Sequence, residues 1–271
     1  MRAGPAALLV LAVGSGAARL MRAQVAPNRT SFYLHPTDVT DARALWVNPA
    51  GLGRISEASV HFDLTVVDPG AAGRVRQLTF GFASRGFSFG YQRDLFSGGP
   101  RGHTYRVGMA SGLGRLAGGG SVTLYRGGTS ETGWDLGGVY DLLRDVSVGG
   151  VIANIGHPVV RGARLPVTLV PGATLRLFRA RAAVSAHGRL TSADRPEYSI
   201  GLGARLRDGT TLPVGLLARL DADGWFRHTG FAFGLSVGRD NLVGTVVTVP
   251  GAAGRIDSGS LYGLSTRRLT R

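Results

Sequence analysis

Cysteine is absent from the 271 residues, which rules out a disulfide framework and any thiolate metal site. Lysine is absent too, so all 31 basic residues are arginine, set against only 17 acidic ones. The resulting net charge of +14 invites a nucleic-acid reading. The placement of the arginines argues against it. They stand singly along the chain, with no basic helix and no patch interleaved with aromatics. Also missing is any apolar run near the ~20 residues that a membrane-crossing helix requires. No stretch keeps a helical period, which disfavours a parallel α/β fold with its crossover helices. Whatever anchors such a chain in a membrane must be β-structure.

What is abundant is glycine, 43 residues, or about 16% against ~7% in an average protein. Disorder is the weaker explanation, because 44% of residues are hydrophobic and only 18% charged. A β fold with many turns is the stronger one. The chain divides into three parts. Residues 1–23 read as a signal peptide: Arg2 supplies the positive charge, Ala6 to Val13 the apolar core, and cleavage is expected after Ala18 or Ala23. Residues 24–56 are irregular, with scattered Pro and Asn. Residues 57–271 consist of short alternating runs separated by Gly, Asp, Pro and Arg.

The clearest run opens this third part. Ala58, Val60, Phe62, Leu64 and Val66 fall on one face, and Ser59, His61, Asp63 and Thr65 on the other, the period of two that a strand demands. Similar runs surround Phe80, Phe89, Val107, Leu202 and Phe233, and weaker ones lie near Val122, Trp134, Val148, Val167, Val184, Val214, Val246 and Leu264. The total is about fourteen (12–14), each short enough to leave room for ~9–11 spanning residues and a brief connection. A soluble sandwich would press the apolar faces together, whereas a membrane barrel turns them to lipid and lines its interior with the wet face. Here the wet face is rich in Gly, Ser and Thr, which suits a crowded lumen. Tyr91, Tyr105, Tyr125, Trp134 and Tyr140 lie near run ends, where an interfacial girdle would use them. The expected fold is therefore all-β: an antiparallel transmembrane β-barrel, closed because hydrocarbon offers an open sheet edge no hydrogen-bond partner. A soluble β-protein is the rival. In the barrel, His61 and Asp63 would be polar lining of the lumen.

Just before the first run, residues 37–52 read TDVTDARALWVNPAGL. Pro49 fixes its own φ and pushes Asn48 out of the helical region, Gly51 permits a turn, and Asn48 can satisfy neighbouring backbone groups. Asn48, Pro49, Ala50, Gly51 and Leu52, after Asp and small residues and an aromatic, resemble the N-terminal signature of FadL-type transporters and of PorV/PorQ-type outer-membrane proteins. That resemblance implies a fourteen-stranded barrel in the cell outer membrane, with residues 24–56 as a hatch or plug inside it. It implies passive uptake of hydrophobic or small solutes or, as the alternative, a non-transporting docking or assembly component of a secretion or envelope system. The implied partners are outer-membrane lipid and lipopolysaccharide, the barrel-assembly machinery and a hydrophobic ligand. No cofactor is implied. The sequence departs from the pattern in being short for a fatty-acid transporter and in ending Leu269-Thr270-Arg271 without a terminal aromatic.

Signals for catalysis are weak. Gly86-Phe87-Ser88-Phe89-Gly90 and Gly234-Leu235-Ser236-Val237-Gly238 match the hydrolase elbow, but both serines sit within alternating runs rather than before a helix. The six histidines are far apart and lack metal-ligand spacing. The glycine-rich Gly112 to Gly118 has the wrong spacing for a dinucleotide fingerprint. No catalytic, cofactor-binding or metal-ligating residue is expected, and the chain is read as a non-enzyme.

Overall fold

A computed structural model describes residues 28–55, 57–67, 74–95, 102–127, 130–160, 163–206, 213–238, 241–250 and 256–268. The expected signal peptide, residues 1–23, lies outside them. The strands are β1 (Glu57–Val67), β2 (Arg74–Ser84), β3 (Phe87–Asp94), β4 (Gly102–Leu113), β5 (Leu116–Arg126), β6 (Ser130–Asp141) and β7 (Val146–Ile155). A small hairpin follows, β8 (Val159–Val160) and β9 (Ala163–Arg164). Then come β10 (Thr168–Leu177), β11 (Ala182–Thr191), β12 (Glu197–Leu206), β13 (Val214–Asp223), β14 (His228–Gly238), β15 (Asn241–Pro250) and β16 (Ser258–Arg268). All except β8 and β9 form one closed barrel of 14 strands, at the upper end of the expected range. Neighbouring strands run antiparallel, and β1 meets β16 in register from Glu57↔Arg268 to Val67↔Ser258, so no edge is left unpaired.

Burial along the strands is the reverse of a soluble protein's. In β1 the polar Ser59, His61, Asp63 and Thr65 are buried, while Phe62 is 49% exposed. The same holds elsewhere: Gln77 and Thr79 point inward and Phe80 outward, Ser199 inward and Ile200 outward, Arg219 inward and Leu220 outward. A closed sheet with apolar residues outside and polar ones inside is what hydrocarbon surroundings require. The apolar stripes do not meet in a dry interior, so the sandwich alternative fails. Of the aromatics expected near strand ends, Tyr91, Tyr105, Trp134 and Tyr140 lie on the outward face, with Tyr91 and Tyr105 packed at 5.2 Å between ring centroids. Tyr125 departs from that expectation. Its register in β5, shared with buried Ser121 and Thr123, turns it into the lumen.

The two ends of the barrel differ. At one, residues 85–86, 114–115, 142–145 and 178–181 connect strands, and β1 begins and β16 ends there. At the other lie most of the longer connections, among them residues 156–167.

Candidate functional site

Residues 28–55 lie inside the barrel and touch its wall on several sides. The segment comprises a 3-10 turn (Arg29–Phe32), a single helical turn α1 (Ala44–Val47) and a second 3-10 turn (Pro49–Arg54). Its buried apolar side chains Val39, Ala42, Ala44, Leu45, Trp46, Leu52 and Ile55 form an apolar core with the wall residue Ala83, and Tyr33 forms a second with Ala232, Val246 and Tyr262. The wall is smooth where the segment sits. A Cβ at Gly90 would press on Trp46 and Leu45, and one at Gly108 on Leu45 and Leu52, so glycine on β3 and β4 makes the room that α1 fills.

The Asn48 to Leu52 motif is the tightest part of this docking. Asn48 is buried, and its Nδ2 donates to the carbonyls of Pro36 (2.9 Å) and Gly150 (3.3 Å) while its Oδ1 accepts from the Ala50 N–H (3.1 Å). Pro49 occupies the first turn of the helix that Asn48 caps, where its missing N–H matters least. Gly51 lies so close to the Val39 carbonyl that any side chain would collide with it. A second anchor is electrostatic. Asp41 accepts the Arg43 N–H (2.8 Å) and pairs with its guanidinium (2.7 Å), and the guanidinium lies over the Tyr262 ring. Burial disfavours a charged Asp41, but the Arg43 guanidinium more than offsets this and holds its carboxyl below the usual range.

Further ties run around the wall. Asn28 donates to Thr79 (3.2 Å) and Gln92 (2.9 Å), Thr37 meets Thr174 (2.7 Å), Arg219 donates to the Ser31 carbonyl (2.9 Å), and His35 meets His187 (2.9 Å). His61 and Asp63 both face inward from β1 and are buried by this segment. Tyr33 donates to Asp63 (3.4 Å), and neither ring nitrogen of His61 has a hydrogen-bond partner.

Beyond the segment, toward the longer connections, the lumen holds a cavity of about 500 Å³. Two of the charged clusters that face it come from separate parts of the wall. Arg106 of β4 pairs with Asp135 of β6 and donates to Ser121, and Arg219 of β13 donates to Asp221 and Ser199. The lining is mixed: Phe32, Leu34 and Trp46 from the inner segment and Val151 and Val170 from the wall are apolar, while Gln92, Asn154, Arg189 and Glu197 are polar or charged. Sequence reasoning missed Arg106, Asp135, Arg219 and Asp221. The signal was present, since each charge falls on the inward phase of its strand, but assigning that phase needed the register. Ser88 and Ser236 sit within β3 and β14 with no helix after them, so neither forms an elbow, and among the described residues no group of acidic and histidine side chains could hold a metal ion.

No family model matches the sequence, and no curated protein matches it. Solved structures do. The CymD monoaromatic hydrocarbon channel superposes with a TM-score of 0.55 at 10% identity, covering 88% of this chain and 95% of that one. The P. putida toluene transporter TodX gives 0.53 at 13% identity, covering 86% and 95%. The Ralstonia pickettii toluene transporter TbuX gives 0.51 at 14% identity, covering 88% and 99%. The barrel shares the fold of these three proteins. At such identities the likeness is one of fold.

Proposed function

We propose that this chain is an outer-membrane channel for passive uptake of a hydrophobic or small solute, with residues 28–55 acting as a hatch. The observation that carries the reading is the lumenal cavity. Its volume lies within the range of small-ligand pockets, roughly 300–1,000 Å³, and its floor is the segment that would have to move for a solute to pass. Phe32, Leu34, Trp46, Val151 and Val170 offer a hydrocarbon apolar surface within this mixed lining, and Arg106 and Arg219 are already engaged by Asp135 and Asp221, so its entry need not strip them of their partners. Movement would begin at the Asn48 to Leu52 motif, where one side chain ties the hatch to β7, with His61 and Asp63 exposed as lumen lining once Tyr33 withdraws.

The test is uptake of toluene and of a fluorescent fatty acid by proteoliposomes holding either the intact chain or a form lacking residues 24–56. Faster uptake by the shortened form than by the intact one, with both above empty liposomes, is the expected result. If neither form binds or passes either probe, the channel reading fails and a docking role replaces it.

A further inference from the structure

All four described connections at the short-turn end carry arginine: Arg85, Arg115, Arg144, and Arg179 with Arg181. Each is exposed, and none has an ion-pair partner among the described residues, whereas Arg54 and Arg176 nearby are engaged by Asp141 and Asp38. Asp145 is the single acid in these four connections. At the opposite end Asp223 holds Arg227 and Asp257 holds Arg29, while exposed Arg164 and Arg195 have no ion pair among the described residues. Among the described residues, the short-turn rim thus carries five exposed arginines without an ion-pair partner.

Its second property is apolar. Phe178 is 76% exposed and adjoins Arg179, Leu142 and Leu143 precede Arg144, and the outward Leu113 (84% exposed) and Leu116 flank Arg115. An acidic protein surface would leave these tips in water. A leaflet would accept them into its acyl region while the guanidiniums met the layer above, the arrangement in which long cationic side chains keep their stems in hydrocarbon and their heads at the interface. Guanidinium is suited to phosphate oxygens, which it can engage through two parallel N–H donors. We infer that this rim binds the phosphodiester headgroups of anionic glycerophospholipids in the leaflet on the short-turn side. The inference rests on the membrane placement proposed above but not on transport, and insertion is scored separately by heat-modifiable gel migration.

The experiment substitutes Phe178→Trp as a local reporter and reconstitutes the full chain into phosphatidylcholine vesicles containing brominated phosphatidylglycerol or, separately, brominated phosphatidylcholine. Quenching is taken as the difference from the chain without the added tryptophan. At equal mole fraction the apparent association of the brominated anionic lipid should exceed that of the zwitterionic one by about fivefold per engaged arginine. The excess should shrink at high salt. In a variant combining R85Q, R115Q, R144Q, R179Q and R181Q it should fall to parity, and in the matching lysine variant, which keeps the charge, most of it should return. Equal quenching by the two lipids in the parent overturns the inference, as does an excess that survives the glutamine changes. Retention of poly-glutamate by the detergent-solubilised barrel, without lipid preference, would also overturn it and assign the rim to a protein partner.

Discussion

At Asn48 a single amide uses both of its ends. Its Nδ2 meets carbonyls of the inner segment and of β7, and its Oδ1 takes an N–H of the turn it caps. Removing it leaves buried carbonyls without donors, a loss of about 1–3 kcal/mol in the docking of residues 44–52. Asn48→Asp should be worse than Asn48→Ala, because a carboxylate has no hydrogen to offer and would face the Pro36 and Gly150 oxygens. Two neighbouring glycines supply an internal control. A side chain at Gly137 would strike the Asn48 amide, while one at Gly138 meets nothing within 4 Å. Gly137→Ala should therefore loosen the segment as Asn48→Ala does, and Gly138→Ala should leave it unchanged. Hydrogen exchange of residues 44–52 in micelles reads all four variants, and an equal effect from the two glycine changes would refute this account. Asn48 could be read from the sequence as a turn former with polar needs. That its partner stands at Gly150, 102 positions away, could not, because nothing local specifies which wall the turn will meet.

Strands were legible where one face is greasy and the other wet, since a period of two survives any uncertainty about neighbours. The hairpin of β8 and β9 was not, as two residues per strand carry no period. By its own pattern the inner segment reads as irregular, and only the resemblance carried by Asn48 to Leu52 placed it inside a barrel, because its order comes from contacts made inside the lumen. One of those contacts is sensitive to pH. His35 lies with Nδ1 at 2.9 Å from His187 Nδ1, and its Nε2 is buried without a partner. Burial, and then the Arg219 charge, which Asp221 partly answers, lower its pKa to about 3. A depressed value means that the docked segment resists protonation, whereas the undocked segment takes a proton near pH 6.5. Docking is then fully retained above that pH and weakens progressively as pH falls toward 3. Protease cleavage within residues 28–55 should accordingly rise between pH 7 and pH 5 in the native chain. Asp38, whose carboxyl is pushed up by burial despite Arg176, acts with the opposite sign. Comparison with His35→Gln isolates this histidine from the others buried against the segment: that variant should lose part of the pH dependence, and an unchanged profile would remove His35 from the account.

For the molecule as a whole, the decisive property is which way its apolar surface faces. Phe62 lies midway along β1 and points outward, beside Asp63, which points inward and is buried. In water, replacing an exposed phenylalanine by arginine would be close to neutral, within about 0.5 kcal/mol. In a bilayer the same change places a guanidinium near the midplane and costs about 2–4 kcal/mol, falling to ~0–1 near the interface. Leu113, at the end of β4, supplies that interfacial comparison. Phe62→Arg should therefore shift the urea midpoint of the vesicle-folded protein, followed by heat-modifiable migration, far more than Leu113→Arg does. An additional arginine at Leu113 would join the charged rim rather than oppose it, so its variant should also retain any preference for anionic lipid. Equal, negligible effects of the two substitutions would mean that depth is irrelevant and that the outward face meets water. A large loss for Phe62→Arg alone ties the reversed burial of every strand to the thickness of a membrane.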